Sequence, residues 1–120
     1  MEKKSIFGLD ENLVAALSYL FGAFSGILVF ILERENKFVR FHALQSTLWF
    51  LMLWTAGWIL GMVASLPLIG FVLGLVISPV LWIGTILNFA SKVFMILQAY
   101  QGKTFKIPII GDVSFAQVNK

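Results

Sequence analysis

Cysteine is absent from the 120 residues, and histidine occurs once. These scarcities exclude disulfides and thiolate chemistry, and they leave no ligand set for zinc within one chain. No cofactor or metal is expected. Charge is sparse: Asp, Glu, Lys and Arg make up 12% of the chain, against roughly a quarter in soluble domains. Acid is sparser still. Neither Asp nor Glu occurs between Glu35 and Asp112, which excludes a proton relay built from membrane carboxylates. The chain lacks G-x-S-x-G, H-E-x-x-H and a phosphate loop, so no enzyme is expected.

What is present is apolar. The hydrophobic share is 59%, above the roughly 45–50% of soluble proteins, and a single domain of this size could not bury it. Lipid is the expected solvent, and the fold class is all-α, an integral membrane protein. Lys3 and Lys4 are followed by Asp10 and Glu11 before the apolar run starts. That order, and a run longer than a signal-peptide core, predict a retained first helix.

Three transmembrane helices are expected in one membrane domain, 1–120. The first covers 12–32, 21 positions without charge, about the hydrocarbon thickness, with Asp10 placed to cap it. Residues 33–42, ERENKFVRFH, form an interfacial connector. Arg34, Lys37 and Arg40 recur every three positions and would share one side of a helical turn, with Phe38 and Phe41 between them. Ala43 to Ser91 carries no charge over 49 positions, right for two spans and a tight turn. The second span is 43–64. The turn is 65–70, where Pro67 disfavours helix at Leu66 and Gly70 permits reversal. The third span, 71–97, is overlong; tilt, projection or a kink at Pro79 would absorb the excess, and a broken segment is the alternative. A short tail, 98–120, has Pro108 and Gly111 against any long helix, with Lys103 and Lys106 flanking Phe105 as an interfacial anchor.

Three spans place the connector and the C-terminal tail on one face. Arg34, Lys37, Arg40, Lys103, Lys106 and Lys120 lie there, against Lys3 and Lys4 on the other. The positive-inside rule then predicts a cell-membrane protein with connector and C-terminus cytoplasmic and the N-terminus outside. Membrane lipid is the expected partner, with a homo-oligomer or another membrane protein. Nucleic acid is not expected, because a net charge of +3 supplies no large basic face.

Three patterns carry further physics. Small residues recur every four positions: Ser18, Gly22 and Gly26; Gly57 and Gly61; Gly70, Gly74 and Ser78. Such rows let backbones approach closely in lipid. They serve packing within the three-helix unit, or one row forms a homo-oligomer contact. Second, Gly84, Thr85, Asn88, Ser91, Lys92 and Gln98 form a polar stripe on the third helix. Lys92 snorkels while Asn88 bonds a neighbouring helix, or Thr85, Asn88, Ser91 and Lys92 line a hydrated groove. Third, His42, Gln45, Ser46 and Trp49 share a face just after Arg40. An interfacial helix start in contact with headgroups explains them, and a pH-sensitive gate at His42 is the alternative. With Arg34, Lys37 and Arg40, residues His42, Gln45 and Ser46 are the candidate lipid-contact positions.

LSYLFG in the first helix, then ENKFVRFHALQS, then QAYQGKTFKIPIIGD resembles a family of small, largely uncharacterised archaeal and bacterial membrane proteins. That family is distantly similar to the small inner-envelope channel component of chloroplast protein import. The resemblance runs from about Leu9 to Val113; where family members often carry a basic residue before AYQG, this chain has Gln98. It implies, by analogy, a translocation or assembly role and no established site residues. Two functions are therefore expected to compete. One is a non-enzymatic, oligomeric component for transport or for protein translocation or insertion. The other is a structural or regulatory membrane protein that holds anionic headgroups or a partner through its basic connector.

Overall fold

The long uncharged run folds as expected into two helices joined by a tight turn. In a computed structural model, which describes residues 8–119, α3 spans Lys37–Ala64 and α4 spans Ile69–Tyr100. At 1.5 Å per residue they are about 42 and 48 Å long. Both are long and apolar enough to cross a membrane, and only 6% and 11% of their most apolar stretches is buried, a pattern that suits lipid-facing helices and not core helices. α3 starts earlier than expected, inside the connector, because the Asn36 side chain accepts from the Val39 amide and caps it. The reversal at Ser65–Leu68 puts Leu68 at φ 64°. α4 runs unbroken through Pro79, which faces outward.

The break lies in the first apolar segment instead. The expected continuous span 12–32 is two short helices, α1 (Glu11–Leu17) and α2 (Ala23–Leu32). Between them Gly22 takes φ 63° and ψ −133°, a conformation that favours glycine. A Cβ there would lie 2.7 Å from the Trp54 ring. The chain then doubles back. Gly22 lies against Phe50 and Trp54, Gly26 against Ala43 and Thr47, and the end of α2 against Arg40. α2 therefore runs antiparallel to α3. α1 climbs beside them, from Glu11, bonded by Asn36, to Ser18, bonded by Ser46. The expectation of three spans is corrected: two helices, α3 and α4, are long and apolar enough to span, and the first apolar segment is a re-entrant helical hairpin whose tip reaches the level of Phe50 and Trp54.

This geometry also corrects the expected separation of the chain's ends. Glu11 meets Asn36, and Asn12 lies against Gly102. The start of α1, the α2–α3 junction and the end of α4 thus share one end of a molecule 59 × 25 × 24 Å. Lys3, Lys4 and Lys120, counted above, lie outside the described residues.

After α4, residues 101–109 cross back over α3, and α5 (Ile110–Val118) packs on it. The tail expected to lack a long helix thus holds a short one, begun just after Pro108. The core is Val14, Ala15, Tyr19, Val39, Phe50, Met95 and Ala99. This cluster lies in the half of the α3–α4 hairpin that α1, α2 and α5 cover. The other half is bare: Trp58 and Trp82 are both 71% exposed, and Phe71 is 76% exposed.

Candidate functional site

Beneath the re-entrant hairpin lies a buried polar cluster. The face of α3 expected to meet headgroups points inward: His42, Gln45 and Ser46 are each 0% exposed. In this fold they cannot touch lipid, because α1 and the 103–107 segment cover them. Tyr19 Oη lies 2.7 Å from His42 Nδ1, and His42 Nε2 lies 2.8 Å from the Lys103 carbonyl. The carbonyl can only accept, so Nε2 carries the proton and Tyr19 donates to Nδ1. Gln45 Nε2 donates to Tyr19 Oη and to the Phe105 carbonyl, both at 2.9 Å, and its Oε1 accepts from the Ile107 amide at 2.8 Å. The pattern closes with donors and acceptors matched.

Ser46 and Ser25 hold the tip. Ser46 Oγ donates to the Ser18 carbonyl at 2.7 Å and lies 3.1 Å from that of Gly22. Ser25 Oγ reaches the same two carbonyls and accepts from the Phe21 amide. A broken helix frees backbone groups that lipid cannot satisfy; these two hydroxyls meet the Ser18 carbonyl and the Phe21 amide among them. Tyr19 and Ser25 were not singled out from sequence, and neither was the 103–107 backbone. The polar residues inside an otherwise apolar segment were the available signal.

The basic connector residues separate. Arg40 is half-buried: Nη1 donates to the carbonyls of Phe30 at 3.2 Å and Glu33 at 2.6 Å, and its guanidinium stacks 4.1 Å above the Phe30 ring. It caps the C-terminus of α2. Arg34 and Lys37 are exposed. Arg34 and Arg40 line an open recess of about 580 Å³ with Phe30, Ile31, Gln117 and Val118. In the tail, the Lys106 ammonium sits 4.0 Å above the Phe115 ring, and Phe105 packs edge-on against Phe94.

The polar stripe of α4 also divides. Thr85 and Asn88 line a cleft of about 420 Å³ between α3 and α4, with Trp54, Gly57 and Gly84. Asn88 Oδ1 is shielded there without a hydrogen-bond partner among the described residues. Ser91 instead accepts from the Trp49 indole at 3.0 Å, and the Lys92 ammonium lies 5.6 Å from the Phe50 ring centre. The small-residue rows split in the same way. Gly22, Gly26 and Gly70 are closely packed, and a Cβ at any of them would fall under 3 Å from a neighbour. Gly57, Gly61, Gly74 and Gly84 face open space, and Ser78 is exposed. Among the described residues, no group of three or more His, Asp or Glu could hold a metal ion.

Residues 10–114 match a family described as magnetosome magnetite crystal formation proteins. A UPF0132 membrane protein of Methanocaldococcus jannaschii is 43% identical over 114 residues, covering 92% of this chain and 91% of the relative. A UPF0132 membrane protein of Archaeoglobus fulgidus is 37% identical over 112 residues, covering 92% and 97%. A second from the same organism is 35% identical over 103 residues, covering 86% and 96%. No solved structure matches the chain.

Proposed function

Because the chain belongs to the magnetosome magnetite crystal formation protein family, alongside the UPF0132 membrane proteins, we propose that it is a non-enzymatic membrane component that works as an oligomer, in transport or in protein translocation or insertion. The observation that carries this is the division of the glycines. Those that pack the fold are filled, while Gly57, Gly61, Gly74 and Gly84 lie on the uncovered half of α3–α4 with nothing against them. In lipid, where apolar surface gives no net drive, such positions serve close approach of another helix. The nearby cleft, lined by Gly57 and Gly84 with Thr85 and Asn88, opens in the same region. Two spans and a half-depth hairpin enclose no pore alone, so transport would need several copies. The narrower role in translocation is an analogy drawn from the sequence resemblance alone.

Native mass spectrometry in lipid nanodiscs tests the assembly. The wild-type chain should give multimers, and Gly57→Leu with Gly84→Leu should give monomers. A wild-type chain that stays monomeric at every protein-to-lipid ratio overturns the proposal.

A second reading is a structural or regulatory membrane protein that holds anionic headgroups or a partner by its basic end. The exposed Arg34, Lys37, Lys103 and Lys106 favour it, all near the junction end. The positive-inside rule would set that end, with the start of α1 and the C-terminal helix, in the cytoplasm of a cell-membrane protein. Charge reversal at Arg34 and Lys37 should weaken association with anionic bilayers; unchanged association counts against this reading. A direct part in mineral formation, as the family description has it, draws no support from the described residues, which hold no cluster of metal ligands.

A further inference from the structure

We propose that the recess between the end of α2 and α5 is a binding site for one anionic phospholipid, its phosphate held by Arg34 and Arg40. The inference deepens the second reading above by giving the basic end a defined site.

The recess has the chemistry of an amphiphile's two halves. Arg34 is exposed, with no hydrogen bond or ion pair among the described residues, and it presents a full guanidinium fork. Arg40 is fixed in place. Its Nη1 is committed to two carbonyls and its plane to the Phe30 ring, which leaves Nε and Nη2 for a ligand. A preorganised arginine loses little freedom when it binds, and paired guanidinium donors match phosphate oxygens.

The end of a helix ordinarily repels an anion, because its last carbonyls carry partial negative charge. Here Arg40 occupies the carbonyls of Phe30 and Glu33, so that obstacle is offset. Of the two neighbouring carboxylates, Glu33 is buried and accepts from the Glu35 amide, Glu35 is exposed, and neither lines the recess.

The apolar wall of the recess continues into the bilayer. Ile31, at its rim, is 60% exposed, and Leu28 and Phe24 extend the same outward surface of α2 at 58% and 74%. A lipid whose phosphate sat between the arginines would lay its chains along this face. Free phosphate would use the arginines and ignore the wall. That continuity commits the site to a lipid. Basic pockets between membrane helices at the cytoplasmic side are where anionic headgroups bind.

The test is native mass spectrometry of the full chain in mild detergent, titrated with phosphatidylglycerol or with phosphatidylcholine of the same acyl chains. One phosphatidylglycerol should bind more tightly than any further lipid and more tightly than phosphatidylcholine. Arg34→Gln should weaken that first binding about tenfold, the loss of one charge-assisted contact. Lys106→Gln, which removes the same charge outside the recess, should leave it unchanged. Val118→Trp, which fills the recess without touching charge, should weaken it as well. Millimolar inorganic phosphate should not displace the lipid. Equal weakening by Lys106→Gln would mean diffuse attraction; the defined site would then fall while the second reading stood. Equal binding of phosphatidylcholine would overturn both. Displacement by inorganic phosphate would make the site one for a free anion and overturn the lipid assignment.

Discussion

Asn36 reaches back 25 positions to bond Glu11, Nδ2 to Oε1 at 3.0 Å, while its own Oδ1 caps α3. Had the segment between them crossed the membrane as one helix, about 30 Å would separate the two residues. Their contact marks a hairpin that enters and leaves by the same side. Cysteines placed at Leu9 and Lys106 should therefore label from one side of sealed vesicles, and a cysteine at Leu66 from the other. Labelling of Leu9 and Lys106 from opposite sides would restore three full spans.

Gly22→Ala and Gly57→Ala should behave as opposites. At Gly22 the new methyl meets the Trp54 ring and the backbone must hold a positive φ, costing about 2–3 kcal/mol. At Gly57 the methyl meets open space and alanine is the better helix former, so the monomer gains up to about 1 kcal/mol. Thermal unfolding of both variants in detergent, under monomeric conditions, reads the difference.

Gln45→Leu removes a side chain that bonds α1 and the tail together. It strands the Ile107 amide and the Phe105 carbonyl, for a loss of about 2–4 kcal/mol. Hydrogen exchange should speed up at Ile107 in this variant. The Val63 amide, remote on the bare half of α3, should keep its wild-type protection.

Ser46→Ala should act on the tip alone. Loss of the bond to the Ser18 carbonyl costs about 1 kcal/mol, softened because Ser25 reaches the same oxygen. Ser46→Ala with Ser25→Ala should cost more than the sum of the two single changes, since together they leave that carbonyl without a side-chain donor. A double-mutant cycle showing strict additivity would refute the shared role.

Arg40→Lys keeps the charge and loses the fork. A single ammonium cannot reproduce the paired contact with Phe30 and Glu33 and the stacking on Phe30, so about 1 kcal/mol of α2 stability should be lost. The circular dichroism melting curve of the purified chain reports it.

Much of this architecture was legible in the residues. The uncharged run beginning at Ala43 is long enough for two helices and too long for one, and Pro67 marks the reversal. The hairpin was not legible, because the segment 12–32 satisfies a length criterion whether it runs straight or folds at Gly22. What decides is Phe50, Trp54 and Ser46, on another helix. His42, Gln45 and Ser46 were recognisable as one polar face, but their setting was not. They resembled a headgroup-facing helix start because the backbone that covers them, at Lys103 to Ile107, comes some sixty positions later. The glycine rows showed periodicity without showing which were filled; only the packing separates Gly26 from Gly57.

The polar cluster also sets an order of manufacture. A chain made from its N-terminus commits α1, α2 and α3 to the bilayer before the ribosome reaches Lys103. Until then, the side chains of His42 and Gln45 lack the acceptors and the amide that complete them. A stretch made only after α4 is thus the stitch that closes the helices made before it, and a nascent chain stalled at the end of α4 would hold α1 to α4 yet keep an unfinished interior.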